Sequence, residues 1–357
     1  MIYFISNIVL FFFLFFYFFN VKELHVSFVQ PNWMWKKESF KGLPEDKRFS
    51  FSPKKSFNGY RTAAEWFSFR TGKKIPLKPK EKVETPSTGS GYLLYEKIGE
   101  NVEFYSSYGE KLWKMPFKSY PRTSRQGNLS LLISGDNNQV ITVDKNGAKI
   151  GIEKMDGRFL SDYAFSNNTE GAFIVFAGGE LFLINSKAEP LFQLFAGNDK
   201  ELYFFKSAAL SPNMNFSAVH FLYKDSDYFR LMNNKGEKVY DVKFPRVYPH
   251  KIFMAVSDEG YSLINLPERI IFVSSEGKVI QDIKKQSKTP TVFQTAFYTG
   301  KMFVANASGE LGFYDKTGKL LNKHYIFDTP FRALPSGKED VVFLESRSYL
   351  FTFQLIE

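Results

Sequence analysis

Phe229 to Val242 reads FRLMNNKGEKVYDV. An alternating, strand-like run breaks at a short polar turn ending in Gly236, and a second strand-like run follows. The layout returns as VEFYSSYGEKLWKM (102–115), VITVDKNGAKIGI (140–152), LFLINSKAEPLFQL (181–194), IIFVSSEGKVIQDI (270–283) and LGFYDKTGKLLNK (311–323). The turn glycines are Gly109, Gly147, Gly236, Gly277 and Gly318, with Ala188 in the equivalent place, and successive spacings are 38, 41, 48, 41 and 41 residues. Glycine at that place supplies the positive φ that a tight hairpin needs. Ala188 lacks that freedom and is expected to mark a different turn type. Pro190, just after it, points to an outer, edge-like strand.

Upstream of the turns lie further short apolar runs, such as Leu129–Ile133, Ala172–Phe176, Ser217–Phe221 and Met302–Ala305. Leads such as Ala209-Leu210-Ser211-Pro212-Asn213 precede them. The unit is therefore four short antiparallel strands per forty-odd residues, which defines a β-propeller blade. After Gly318 the chain supplies Val341–Glu345 and Tyr349–Gln354 and stops short of a further turn and outer strand. The segment Trp66–Leu77, with Gly72 placed 37 residues before Gly109, carries the same turn and is expected to donate the missing strand. Closure of this kind removes sheet edges that would otherwise pair with neighbours. The expectation is an all-β, seven-bladed propeller of four-stranded antiparallel blades over 66–357, closed by an N-terminal strand.

The 357 residues hold 47 Lys+Arg, 37 Asp+Glu and no cysteine. Without cysteine there is no disulfide scaffold, thiolate zinc site or iron–sulfur cluster. Of the cations, 15 lie between Lys22 and Glu84 against 7 acids there, so the remainder is nearly neutral. A near-neutral body argues against nucleic acid as a partner. Ile2 to Val21 (IYFISNIVLFFFLFFYFFNV) is uncharged, and twenty helical residues at about 1.5 Å each reach about 30 Å, a bilayer core. Residues 1–21 thus read as a transmembrane anchor or a signal segment, either of which brings the chain to a membrane, with the body on the extracytoplasmic, periplasmic side. Residues 22–65 read as a basic tether containing proline and glycine, in which Trp33, Trp35, Lys36 and Lys37 are suited to the headgroup level.

Asp315-Lys316-Thr317-Gly318-Lys319-Leu320 and Gly109-Glu110-Lys111-Leu112-Trp113 resemble the quinoprotein-type (PQQ-like) repeat. Ala209–Asn213 resembles the strand lead of WD-repeat-like propellers. The resemblance, spanning about 66–357, implies wedge-shaped blades around a central channel and a scaffold role. It does not bring a quinone cofactor, since the chain has no Cys pair and only Trp113 of its four Trp lies in the repeats. No catalytic, metal or cofactor residue is assigned. His220 alternates with apolar neighbours and reads as a satisfied strand residue. The spaced oxygen donors of Asp225-Ser226-Asp227 and Asp144–Gly147 lack a full calcium-loop pattern. The longest interval between turns contains Phe195 to Lys206, read as an inserted contact loop with Phe195, Tyr203, Phe204, Phe205 and Lys206 meeting an unidentified protein partner. The functional expectation is a non-catalytic, membrane-tethered interaction scaffold of the cell envelope; the alternative is an enzyme or carbohydrate-binding propeller that uses its channel.

Overall fold

The computed structural model describes residues 28–36, 59–61, 65–68, 71, 73–86, 91–96, 99–152, 155–157, 159–195, 203–285, 295–307, 309–326, 331–335, 339–346 and 349–356. Among them every regular element is a strand. Blade 2 is β5 (Glu81–Glu84), β6 (Gly91–Glu96), β7 (Asn101–Ser106) and β8 (Lys111–Pro116). Blade 3 is β9 (Ser119–Thr123), β10 (Leu129–Ser134), β11 (Gln139–Asp144) and the two-residue β12 (Met155–Asp156). Blade 4 follows with β13 (Leu160–Phe165), β14 (Ala172–Phe176), β15 (Glu180–Ile184) and β16 (Pro190–Phe195). Blade 5 is β17 (Tyr203–Leu210), β18 (Phe216–Tyr223), β19 (Ser226–Asn233) and β20 (Lys238–Lys243). Blade 6 runs through β21 (Phe253–Val256), β22 (Ser262–Asn265), β23 (Arg269–Val273) and β24 (Val279–Lys284). Blade 7 has β25 (Ala296–Tyr298), β26 (Phe303–Ala307), β27 (Glu310–Tyr314) and β28 (Leu320–Tyr325). Each is a four-stranded antiparallel meander with strands in sequence order.

One local device shapes the turn between the third and fourth strands. Ser106, Asp144, Asn185, Asn233, Ser274 and Asp315 each accept, on a side-chain oxygen, the N–H groups two and four residues ahead. In blade 5, Asn233 Oδ1 takes Lys235 N–H at 2.9 Å and Glu237 N–H at 3.0 Å. The short polar side chain satisfies turn donors that no strand partner reaches. The residue three after each cap has positive φ, from 59° at Ala188 to 86° at Gly109. Ala188 is no exception: its φ is 59°, and Ala188 N–H donates to Asn185 O at 2.9 Å, as Gly236 N–H does to Asn233 O. The different turn expected there is not formed, because the Asn185 cap and the burial of the Ala188 side chain hold the ordinary one. Pro190 opens β16, an outer strand, where its missing N–H breaks no ladder.

The same glycines set the blade spacing. A Cβ on Gly147 would lie 2.7 Å from Trp113 Cγ, one on Gly277 2.8 Å from Tyr240 Cγ, and one on Gly318 2.6 Å from Phe272 Cγ. In each case the ring belongs to the preceding blade. Between blades, apolar side chains of both sheets interleave: Leu93, Val102 and Phe104 of blade 2 pack with Leu132, Ile141 and Val143 of blade 3. Phe173, Val175 and Leu183 of blade 4 likewise meet Phe205, Val219 and Phe221 of blade 5. Gly277→Ala would combine left-handed strain with a clash against Tyr240 and should cost about 2–3 kcal/mol. Ala188→Gly trades a buried methyl for relief of strain and should stay within about 0.5 kcal/mol of the parent, by urea denaturation.

Ring closure departs from the sequence expectation. The last blade is β29 (Arg332–Pro335), β30 (Val341–Glu345) and β31 (Tyr349–Ile356), and its fourth strand is β1 (Phe28–Lys36), paired from Phe28↔Ile356 to Lys36↔Tyr349. Trp66–Leu77 does not supply that strand. It contributes β3 (Glu65–Ser68) and β4 (Lys74–Pro76), which with β2 (Gly59–Arg61) make a separate three-stranded sheet, blade 1. Among the described residues there are seven four-stranded sheets, as expected, with this shorter one added. The tether read over 22–65 is interrupted by β1 and β2, because edge pairing with β31 satisfies backbone groups that a solvated linker leaves to water. Gly72 lies outside the described residues.

Val29 fastens the closing strand. It is buried, and its carbonyl accepts Asn322 Nδ2 at 2.7 Å and His324 Nε2, as the Nε2–H tautomer, at 3.1 Å, both from β28 of the neighbouring blade. Asn322→Ala should therefore cost about 1 kcal/mol and speed amide exchange first across Tyr349–Ile356, as read by hydrogen–deuterium exchange.

Candidate functional site

An antiparallel meander puts the turns after the first and third strands at one end of the wheel. The turns after the second strand, and the connections between blades, lie at the other. At the first end, polar side chains of several blades converge and bond one another. Asn167 Nδ2 of blade 4 donates to Tyr298 O of blade 7 at 3.2 Å, and Arg125 Nη1 of blade 3 donates to Asn167 O at 2.6 Å. Asn168 Nδ2 reaches Asn213 Oδ1 at 3.1 Å and, more weakly, Glu339 Oε1 at 3.5 Å. Asn213 in turn donates its backbone N–H and Nδ2 to Asp258 at 2.8 and 2.9 Å. Burial pushes the Asp258 carboxyl up, against the bonds from Asn213. Direct bonds between blades 4 and 7 pinch the axial channel at this end to hydrogen-bond distance.

The opposite end carries exposed aromatics. Phe159, Phe195 and Phe204 are 49%, 65% and 51% exposed, and all three sit at that end of blades 4 and 5. Phe159 precedes β13, and its carbonyl accepts Ala177 N–H at 2.7 Å. Ala177 O accepts Phe205 N–H at 3.3 Å, and Ser161 Oγ donates to Phe205 O at 2.7 Å, so the two blades are stitched beneath the rings. The connection 244–252 flanks them with exposed Val247 and with Lys251, whose ammonium pairs with the buried Asp162. Beside it, Arg246 lies over the Tyr248 ring and bonds Glu268 at 2.9 Å.

The inserted loop expected over Phe195–Lys206 takes a different form. Phe195 ends β16, and Tyr203, Phe204, Phe205 and Lys206 open β17, while 196–202 lie outside the described residues. Alternation along β17 buries Phe205 against Phe221, with ring centroids 5.4 Å apart, and half-buries Tyr203 in a stack with Tyr223 at 4.8 Å. Phe204 is turned outward. Of the five expected contact residues, Phe195 and Phe204 are well exposed. Phe159 escaped the sequence reading; its place just before an inner strand of the repeat frame was the available signal.

Lys206 is buried for another reason. Its ammonium bonds Asp227 Oδ1 at 2.7 Å, Asp227 Oδ2 at 3.0 Å and Tyr248 O at 2.8 Å. Asp227 Oδ2 also accepts Tyr248 N–H at 2.6 Å, and His220 Nε2 lies 2.9 Å from it, off the straight line of a full hydrogen bond. Ser207 Oγ stands 3.4 Å from His220 Nδ1 and accepts Ile252 N–H at 3.0 Å. Serine, histidine and aspartate suggest a nucleophilic triad by type. Here all three are fully buried, and the serine oxygen is already engaged by the backbone. The network ties three strands of blade 5 to the connection leading to blade 6. His220 is a buried strand residue, in keeping with its sequence reading.

Burial pushes His220 down, reinforced by the nearby Lys206 charge and opposed by Asp227. For Asp227 burial acts upward, but the contacts from His220, Lys206 and Tyr248 N–H outweigh it and hold the carboxyl below its usual range. A histidine lowered on folding binds fewer protons than in the unfolded chain, so its contribution is complete above about pH 6.5 and declines below. The lowered aspartate contributes above about pH 3.9 and loses that contribution as pH falls through its folded value. Urea midpoints should fall between pH 7 and 5, and His220→Gln should flatten that slope. Asp227→Asn leaves Lys206 buried without its counter-charge and should cost about 3–5 kcal/mol at neutral pH.

Trp33, Trp35 and Lys36 belong to β1, opposite Thr352, Leu350 and Tyr349, while Lys37 and residues 1–21 lie outside the described residues. Among the described residues no helix is long and apolar enough to cross a membrane. Wedge-like antiparallel sheets repeated about an axis, each docked on the last, make this chain a β-propeller. Solved structures agree at the level of fold. The Dos1 propeller matches with a TM-score of 0.62 and 11% identity over 92% of this chain and 95% of that one. BamB from Moraxella catarrhalis matches with a TM-score of 0.58 and 8% identity over 91% of this chain and 99% of that one. No protein-family model and no curated protein sequence matches the chain.

Proposed function

We propose that this chain is a non-catalytic propeller serving as a protein-interaction scaffold in the cell envelope, held at a membrane through residues 1–21 with its blades on the extracytoplasmic side. The carrying observation is the grouping of Phe159, Phe195 and Phe204 at one end of blades 4 and 5, over a hydrogen-bonded frame. Exposed aromatics on a rigid support lose little entropy on docking and supply the large apolar contacts that anchor interfaces. The uncharged run Ile2–Val21 supports the membrane assignment, and β1 follows it after only six residues, which would hold the wheel close to the bilayer. Interfacial placement of Trp33, Trp35, Lys36 and Lys37 belongs to the same reading. The alternative, an enzyme or sugar-binding channel, has against it the direct bonds that pinch one mouth.

Photo-crosslinking tests the interaction face. A crosslinker at position 204 should give one discrete protein adduct in envelope preparations, and one at Leu112 on the outer rim should not. Phe159→Ser should reduce the adduct at 204 at least fivefold without shifting the melting temperature. Equal adducts at 112 and 204 would reject the assignment.

A further inference from the structure

Beneath the exposed rings of blades 4 and 5 lies a side chain of the kind that changes charge close to neutral pH. His220 of β18 is fully buried, and its ring packs on Phe244 with centroids 5.4 Å apart. Phe244 opens the connection 244–252, which contains no strand and flanks the exposed rings with Val247 and Lys251. Side chains around His220 hold that connection by three bonds to its backbone. Asp227 Oδ2 accepts Tyr248 N–H at 2.6 Å, the Lys206 ammonium donates to Tyr248 O at 2.8 Å, and Ser207 Oγ accepts Ile252 N–H at 3.0 Å. Each of these groups meets the ring or shares its carboxylate, so the charge on His220 bears on all three.

That neighbourhood has no place for a second cation. Lys206 of β17 bonds both oxygens of Asp227 of β19, at 2.7 and 3.0 Å, and His220 Nε2 stands 2.9 Å from Oδ2 of the same carboxylate. His220 Nδ1 faces the Ser207 hydroxyl at 3.4 Å. The other charged groups packed around this core have partners of their own or stand in water. In the connection, Arg246 and the Tyr248 hydroxyl bond Glu268 of blade 6, Lys251 pairs with Asp162 of blade 4, and His250 is exposed. Arg269 of β23 pairs with Asp282 at 2.7 Å, and β21 carries no titratable side chain. A protonated His220 would thus share one buried carboxylate with Lys206, leaving a net charge away from water. Burial disfavours the protonated ring, with the Lys206 charge acting the same way and Asp227 against both. The ring takes up a proton readily where water reaches it, and the irregular connection, unlike the sheets, is the cover that can lift.

We propose that His220, Asp227, Lys206 and Ser207 form an acid-sensitive latch: protonation of His220 frees the connection 244–252, takes apart the flank of the aromatic face and releases its partner. The release rests on the assignment of that face as a docking surface; the latch itself does not. An open state with ordinary histidine affinity for protons gains up to about tenfold in population per pH unit below about 6.5. Hydrogen–deuterium exchange of the full chain, corrected for the intrinsic pH dependence of exchange, reads the latch without a partner. Between pH 7.5 and 5.5, protection of the Tyr248 and Ile252 amides should fall at least fivefold, while that of Ala172–Phe176 in blade 4 stays within twofold. His220→Gln should abolish the fall, and Lys206→Met, which leaves Asp227 to the ring, should reduce it. No fall at Tyr248 and Ile252, an equal fall across Ala172–Phe176, or an undiminished fall in both variants would each overturn the latch. The adduct from a crosslinker at position 204 should drop at least threefold over the same pH range in the parent chain and not in His220→Gln. An adduct that persists at pH 5.5 would overturn the release. No adduct at either pH would overturn the docking face and the release with it, while exchange still decides the latch.

Discussion

A four-stranded sheet of short strands has two faces, and in water neither can be left apolar and open. Burying one face on a neighbour leaves the next face to be buried in turn, so the requirement passes from blade to blade until the sheets curve back on themselves. In this chain the contact is made the same way repeatedly: a capped turn brings a glycine against a ring of the preceding blade, and aliphatic and aromatic side chains fill the space above it. At Gly147, Gly277 and Gly318 the glycine serves both the positive φ and the close approach, whereas blade 4 accommodates the buried Ala188 in the same place.

The ends of the chain face the same requirement in another form. A last blade of three strands would show an unpaired edge, and β1 covers it. Its hold depends on more than ladder bonds, since Asn322 and His324 reach across from the neighbouring blade to Val29. The segment nearest the apolar N-terminal run therefore also closes the domain.

Polar groups are treated differently at the two ends of the wheel and on blade 2. Around the pinched channel mouth, amides and carboxylates bond one another and form a lock. Inside blade 5, Lys206 and Asp227 are buried as a pair whose desolvation is offset by further bonds to Tyr248. On blade 2 the glutamates are only partly answered by lysines of the same chain. Burial with a full set of partners indicates structure.

Much of this was legible in the residues themselves. The forty-residue period, the capped turns and the alternation of apolar side chains depend on local geometry, and local geometry is encoded over a few neighbouring positions. Those features placed the third strands of blades 2 to 7, most of their second and outer strands, and β30 and β31 of the last blade, while the outer strand of blade 3 forms at Met155–Asp156, beyond the run that was read as its hairpin. The closing strand could not be read that way: β1 contains Pro31 and Asn32 and has no regular alternation, and it is a strand because β31 has an edge to offer. The same holds for Ala188, whose left-handed backbone is held by a cap and by burial beyond its own preferences. Exposure at the candidate face was also a tertiary matter. Phe204 and Phe205 are identical as letters, and only the neighbouring blade decides which ring it covers and which it leaves to solvent.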